Sequence, residues 1–290
     1  MAKSSNRGSV VSNDAHRSVV PTVVGVIVAL VVGVAIGHFA PIEGTTGAAF
    51  SGQTTVSEGD LDKVVASYTY DGKTEDVTVR DAIESQTSLD AVKDDQGNYK
   101  LPSADDALAV ARNRILAKIA EDKGITVSDD ELSAFAEQST GTSDFASIAQ
   151  NYQLSEDQAK EIVRESAVMS KLKQQVVSTD AGTEPTAPQT PEDGKQDEAN
   201  ATYGAYIVGL LGDEWDSANN KWARTDGPYY AALSSESFSA DSATYAQAQK
   251  AYYVAYQQYS SNASSSTSEW TNYVNNILSG ATIRLYTLNA

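Results

Sequence analysis

The stretch Ala111-Arg-Asn-Arg-Ile-Leu-Ala-Lys-Ile-Ala-Glu-Asp-Lys-Gly-Ile-Thr-Val-Ser-Asp-Asp-Glu-Leu132 decides the reading of this chain. Leu108, Ala111, Ile115 and Ile119 recur every three to four residues, which places them on one face of a helix. Gly124 follows, a residue that suits the left-handed position just past a helix end. Ser128 then opens a second helix. Its hydroxyl can accept from the N–H three residues on, Glu131 can reach back, and Val127 with Leu132 can clamp the entry. Two helices follow, one from Ser103 to Lys123 and one from Ser128 to about Glu137.

The same device recurs on both sides. Ser57 with Asp60, between Val56 and Leu61, reads as a helix start, as does Ser155 with Gln158 behind Leu154. Each such cap satisfies orphaned N–H groups and contributes about 1 kcal/mol. Between the first two caps, Ser67-Tyr68-Thr69-Tyr70 and Val77-Thr78-Val79 flank Asp71-Gly72, the pattern of a short hairpin. Asp81 to Glu84 begins a helix capped by Thr78, and the polar stretch from Asp94 to Pro102 reads as a loop. Further on, a helix runs from Ser143 to about Tyr152. A long one runs from Ser155 to about Val177, with Ile162, Val163, Val168 and Leu172 inside.

Residues 178–199 break the pattern. Pro185, Pro188 and Pro191 sit among Thr, Gly, Asp and Glu, a composition that predicts a disordered linker or long exposed loop. The remaining residues, 200–290, are rich in Tyr, Ala, Ser and Asn. Tyr203, Tyr206, Ile207, Leu210, Leu211 and Trp215 have helical spacing, weakened by Gly204, Gly209 and Gly212, and Asp216 to Gly227 reads as a loop. A helix is expected over Asp241–Tyr259, with Tyr245, Tyr252, Tyr256 and Tyr259 on one face. Another is expected over Thr267–Leu278, with Trp270, Tyr273, Val274 and Ile277. Ala281 to Leu288 alternates and reads as a closing strand carrying Ile283 and Leu285.

Val19 to Ala40 is apolar apart from Pro21, Thr22 and His38. About 20 such residues cross a hydrocarbon core of about 30 Å. Lys3, Arg7 and Arg17 precede the run and Glu43 follows it, so the positive-inside rule puts residues 1–18 in the cytoplasm and the body outside. A cleaved signal peptide is the competing reading. Gly33 and Gly37 form a GxxxG pair of the kind that lets two helices associate. The expected organisation is a tail over 1–18, a transmembrane helix over 19–40, a Gly/Thr/Ala-rich spacer over 41–54, a helical region over 55–177, the linker over 178–199 and a Tyr-rich helical region over 200–290. The fold class is mainly α with a small β element.

Composition restricts the chemistry. The net charge of −18 repels phosphate backbones and argues against nucleic acid as a partner. The absence of cysteine excludes disulfides, thiolate metal sites and cysteine nucleophiles. The only histidines are His16 and His38, so residues 41–290 carry none. A Ser-His-Asp triad therefore lacks its base and most zinc architectures lack their ligands. No GxxxxGK[ST] or GxGxxG loop marks a nucleotide site, and no cofactor is expected. Asp129, Asp130 and Glu131, like Asp105 and Asp106, fall in the first turn of a helix, where they complement its dipole. Asp213, Asp216, Asn219 and Asn220 could bind calcium weakly but lack EF-hand spacing. Asn200-Ala-Thr202 and Asn262-Ala-Ser264 match glycosylation sequons.

The quoted segment resembles the N-terminal chaperone domain of the SurA and PrsA type. There a helix ends in a Lys-Gly-Ile-like turn, followed by Val-Ser-Asp-Glu-Glu and the next helix. Phe145 to Tyr152 is similar to the short helix that follows, and Leu154-Ser-Glu-Asp-Gln-Ala-Lys-Glu-Ile162 to the start of the long one. Trp270 to Leu285 is similar to the segment that closes such domains, a helix followed by an Ala-x-Ile-x-Leu strand. The resemblance covers mainly residues 55–177. It implies an extracytoplasmic folding factor that binds unfolded or newly exported polypeptides. Family members often carry a parvulin module before the closing segment. Here that interval holds the proline-rich stretch and the Tyr-rich helices, without the usual histidines, so isomerase activity of that kind is not expected.

The expectation is a membrane-anchored chaperone working without nucleotide, with Tyr245, Tyr252, Tyr256, Tyr259 and Trp270 as candidate polypeptide-binding residues. An envelope structural or glycan- or protein-binding module, and a divergent prolyl isomerase, are the alternatives.

Overall fold

The computed structural model describes residues 50, 52–192 and 195–286. The apolar run over 19–40, with Gly33 and Gly37, lies outside them, as do the tail and most of the spacer. No helix among the described residues is long and apolar enough to cross a membrane. The chain is mainly helical with small sheets. The described residues form two compact units: those up to Lys173 together with those from Val274 onward, and those of Gln174–Tyr273 between them.

Unit 1 begins with β1 (Thr55–Val56), β2 (Val64–Tyr70) and β3 (Lys73–Thr78). The expected hairpin forms at Asp71-Gly72, whose φ angles of 48° and 72° make the two-residue turn that matches strand twist. Gly72 has no Cβ to strain at its φ, and Asp71 is of the short polar type that tolerates the left-handed region as a single residue. Ser57 departs from expectation. Its capping box with Asp60 is present, yet it opens only a three-residue 3₁₀ turn, Glu58–Asp60, instead of a helix. The following Val64-Val65-Ala66 and Ser67-Tyr68-Thr69-Tyr70 suit a strand, and pairing on both edges of β2 outweighs one cap. The helices are α1 (Val79–Glu84) and α2 (Leu89–Val92), then, after β4 (Tyr99–Lys100), α3 (Ala104–Asp122), α4 (Asp129–Thr140), α5 (Phe145–Tyr152) and α6 (Glu156–Val176). Strand β4 lies in the stretch read as a loop, where it pairs with β1.

Thr78, Ser103 and Ser128 cap α1, α3 and α4 as the sequence implied, each with an acidic partner three residues on. Val127, Leu132, Ala136, Ile148, Ala149, Ala159, Val163 and Ala167 bury the faces shared by α4, α5 and α6. Arg164 donates to Val127 O at 2.9 Å and Lys171 to Thr126 O at 2.7 Å, so α6 holds the turn that joins α3 to α4.

Unit 2 consists of α7 (Ala201–Leu211), a hairpin of β5 (Trp215–Asp216) and β6 (Lys221–Trp222), α8 (Pro228–Leu233) and most of α9 (Tyr245–Leu278). The hairpin occupies the expected loop. The two helices expected at the C-terminal end are one helix of 34 residues. Its middle, Ser260 to Ser268, contains no Gly or Pro. Serine costs only a few tenths of a kcal/mol against alanine there, and Thr267 and Ser268 return their hydroxyls to the carbonyls of Ala263 and Ser264 at 2.8 and 2.9 Å. The core gathers Tyr203, Ile207, Leu211, Trp215, Tyr229, Leu233, Ala243, Ala248, Ala251 and Ala255. Glu214, 4 % exposed, accepts from the N–H groups of Tyr229 and Tyr230 at 3.3 and 2.8 Å and so serves as the buried cap of α8.

Helix α9 leads back into unit 1, where β7 (Thr282–Leu285) adds to β2 in the order β3-β2-β7. Tyr68 stands opposite Ile283 and Ala66 opposite Leu285. The alternation read at the end of the chain is thus a strand on the early hairpin, and unit 2 is an insertion within unit 1.

Candidate functional site

Tyrosine at intervals of seven, four and three residues stays on one side of a helix, and α9 carries that spacing at positions 245, 252, 256 and 259. The ring of Tyr256 lies 5.9 Å from that of Tyr252 and 6.3 Å from that of Tyr259. Tyr253, which the face pattern did not include, joins the row at 5.7 Å from Tyr252. It sits about 100° round the helix from Tyr252, and only the reach of the ring brings it in. Tyr253 is 59 % and Tyr256 41 % exposed, the two exposed large hydrophobic side chains among the described residues. Gln257, Gln258 and Ser260 flank them without charge. The result is a strip of apolar ring surface edged by hydroxyls, able to bind without committing to one ligand shape.

Tyr245 and Trp270 stand apart from this row. Tyr245 is half-buried against Tyr203 with ring centroids 5.7 Å apart, and Gln249 donates to its hydroxyl at 3.1 Å. Trp270 is 6 % exposed and stacks on Tyr273 at 5.9 Å, so it contributes to packing and presents no face for binding.

On α7, Tyr203 and Tyr206 turn their hydroxyls to the stretch read as a linker. Tyr203 Oη donates to Gln189 O at 2.8 Å and Tyr206 Oη to Thr186 O at 2.7 Å. Burial, with Tyr252 adding to it, pushes the Tyr206 hydroxyl above the ordinary tyrosine value. The start of that stretch is tied to α9 by Glu269. Its Oε2 accepts from Ser178 N at 2.6 Å and Ser178 Oγ at 2.9 Å, and its Oε1 accepts from Thr179 Oγ1 at 2.5 Å. These bonds, the Thr179 hydroxyl foremost, lower the Glu269 carboxyl from 4.5 to about 2. A depressed carboxyl contributes stability above its unfolded value and loses it as pH falls through its folded one. The tether is therefore expected to be complete above pH 4.5 and to open toward pH 2. Carboxyl NMR should give a Glu269 midpoint near 2; a midpoint near 4.5 would show that the tether does not form. Glu269→Gln should remove the acid dependence of amide exchange at Ser178 and Thr179.

Unit 1 has a cleft of about 720 Å³ between α1, β4 and the start of α3. Ala82, Ile83, Val92, Leu101 and Pro102 form its apolar wall, with Gln86, Lys100 and Asp106 as polar groups. Gln86 donates to Asp106 Oδ1 at 2.7 Å, while Asp106 Oδ2 caps α3 through Ser103.

The acidic clusters have structural partners. Asp129 pairs with Arg164 at 3.3 Å. Glu131 caps α4 and pairs with Lys171 at 2.6 Å; the Lys171 ammonium, then the Ser128 N–H, hold its carboxyl down at about 2. Asp213 pairs with Arg224, Asp216 binds Asn219, and Asn220 Oδ1 accepts from Ala240 N, so these four do not converge on one point. Among the described residues no group of His, Cys, Asp and Glu is placed to hold a metal ion. Asn200 of the first sequon is the N-cap of α7, its side chain accepting from Tyr203 N at 3.0 Å; Asn262 is exposed on α9.

No family model matches the chain, and no curated protein and no solved structure matches it.

Proposed function

We propose that the protein is a membrane-tethered chaperone that holds unfolded or newly exported polypeptides outside the cytoplasm, without nucleotide and without bond-making. The observation that carries this reading is the open row of Tyr252, Tyr253, Tyr256 and Tyr259. Two of its rings are exposed beyond what packing requires, and tyrosine offers large apolar area at low side-chain entropy cost. The discontinuous topology supports it: the resemblance to SurA- and PrsA-type domains implies a helical unit closed by a late strand, with an inserted module before that strand. Residues 19–40 would supply the anchor, and anchoring raises the effective concentration of the row near the membrane.

The test is suppression of light scattering by an aggregating, unfolded model protein, with the full chain in vesicles. Wild type should suppress at near-equimolar amounts. The double variant Tyr253→Ser, Tyr256→Ser should need at least about five times more protein, since the two rings together contribute at least about 1 kcal/mol beyond their area. Its melting temperature should stay near that of wild type, because both side chains are exposed. Equal suppression by the two proteins would end the assignment to this row. No suppression by wild type at excess would end the chaperone reading.

The same row suits one other role. Sugar rings stack on tyrosine faces, so an envelope glycan-binding module would use the same residues. Retention on purified cell wall, lost in the double variant, would favour that role.

A further inference from the structure

The segment that precedes α7 has no regular secondary structure, yet it keeps a rhythm of three. Its prolines are Pro185, Pro188 and Pro191. Pro188 is buried and the other two are half-buried, while Thr186, Ala187, Gln189 and Thr190 between them are exposed. One inward face every third residue is the periodicity of a polyproline II helix, for which proline fixes φ near about −65° in advance. Such a helix makes no internal hydrogen bonds, so its carbonyls are open to be bonded from outside.

Helix α7 bonds two of them, and it does so in register. The carbonyls of Thr186 and Gln189, three residues apart, accept from the hydroxyls of Tyr206 and Tyr203, also three residues apart. The order is reversed, so the segment runs antiparallel to α7. Tyr203 is 6 % exposed with its ring against that of Tyr245, and Tyr206 lies close to Tyr252. Aromatic walls that seat prolines, with hydroxyls that bond the carbonyls between them, are the means by which proline-rich segments are recognised in general. Composition alone gives residues 184–192 no reason to be ordered; the two tyrosine hydroxyls of α7 hold the carbonyls of Thr186 and Gln189 in place.

The geometry points to a binding site: the Tyr203–Tyr206 groove takes extended polypeptide with proline at every third residue, and residues 184–192 occupy it as a tethered ligand that an external proline-rich segment can replace. The site does not depend on the holding activity of the α9 row, and a failure of that activity would leave it standing.

The experiment uses the full chain in vesicles and a fluorescent peptide with the sequence of residues 181–192, followed by anisotropy. A tethered ligand competes at an effective concentration in the millimolar range. Wild type should therefore bind the peptide at least about tenfold more weakly than the variant Pro185→Ala, Pro188→Ala, Pro191→Ala, whose own segment is a poorer fit. Adding Tyr203→Phe and Tyr206→Phe to that variant keeps the rings and removes both hydroxyls; binding should fall about tenfold again, two hydrogen bonds at roughly 0.5–1.5 kcal/mol each. A peptide with alanine for all three prolines should not bind. A folded triple variant that ignores the peptide, or that binds the alanine peptide equally well, would overturn the proposal. Where the triple variant loses its fold, saturating peptide should restore its near-ultraviolet signal and its melting temperature; no restoration would likewise overturn it.

Discussion

Replacing Gly204 with valine is expected to destabilise unit 2 by about 3 kcal/mol, within the range for overpacking a well-filled core. Even a Cβ at this position would stand 2.5 Å from the carbonyl oxygens of both Ser239 and Ala240. Those obstacles are backbone, which cannot rotate aside as a side chain does. The segment that holds them is fixed by mutual backbone bonds between Asn200 and Ala243, at 2.9 and 3.1 Å. Gly209 provides the control on the same helix. It is exposed and a Cβ there would meet nothing within 4 Å. Gly209→Ala should stabilise by about 0.5–1 kcal/mol, the ordinary helix preference for alanine. Urea unfolding of the pair reads both signs at once. A neutral Gly204→Val would show that the approach of α7 to Ser239 and Ala240 is looser than described.

Leu132→Ala should cost about 3–4 kcal/mol, toward the middle of the range for buried leucine. Leu132 is 3 % exposed among α4, α5 and α6. Half of the eight buried residues in that cluster are already alanine: Ala136, Ala149, Ala159 and Ala167. Alanine lets the helices approach closely and leaves little side chain to swing into a void, so the cavity would persist. The loss also removes the clamp with Val127 at the start of α4. Thermal melting of unit 1 should fall by several degrees; a shift under one degree would mean the site collapses freely.

The quoted segment was legible because its signals are local. Ser103, Ser128 and their acidic partners lie within one turn of the bonds they make, and Asp71-Gly72 carries its turn in two residues. Ser57 has the same local signal and yields a single 3₁₀ turn, because the strand that follows is decided by partners far away in the chain. The serine-rich middle of α9 reads as a break by composition, yet nothing in it forbids a helix. Gly204 reads as a weakness in a helix until Ser239 and Ala240 are placed beside it. The candidate site divides along the same line. Spacing found Tyr252, Tyr256 and Tyr259. It leaves out Tyr253, and it includes Tyr245 and Trp270, whose burial depends on tertiary packing. The proline-rich stretch reads as a disordered linker or long exposed loop because the two hydroxyls that bond it lie 14 and 20 residues away.

The strand order β3-β2-β7 also bears on the timing of assembly. A polypeptide leaving the ribosome presents β2 with one bare edge throughout the synthesis of the roughly two hundred residues that separate it from β7, and a bare edge invites mispairing. Unit 2 is continuous and can gather while unit 1 waits for its last strand. The β2–β7 pairing joins residues roughly two hundred positions apart, so closure of unit 1 is expected to be the slower and later event. A ribosome stalled after unit 2 but before β7 is expected to hold a chain in which Gln174–Tyr273 can already gather while β2 still lacks its second partner.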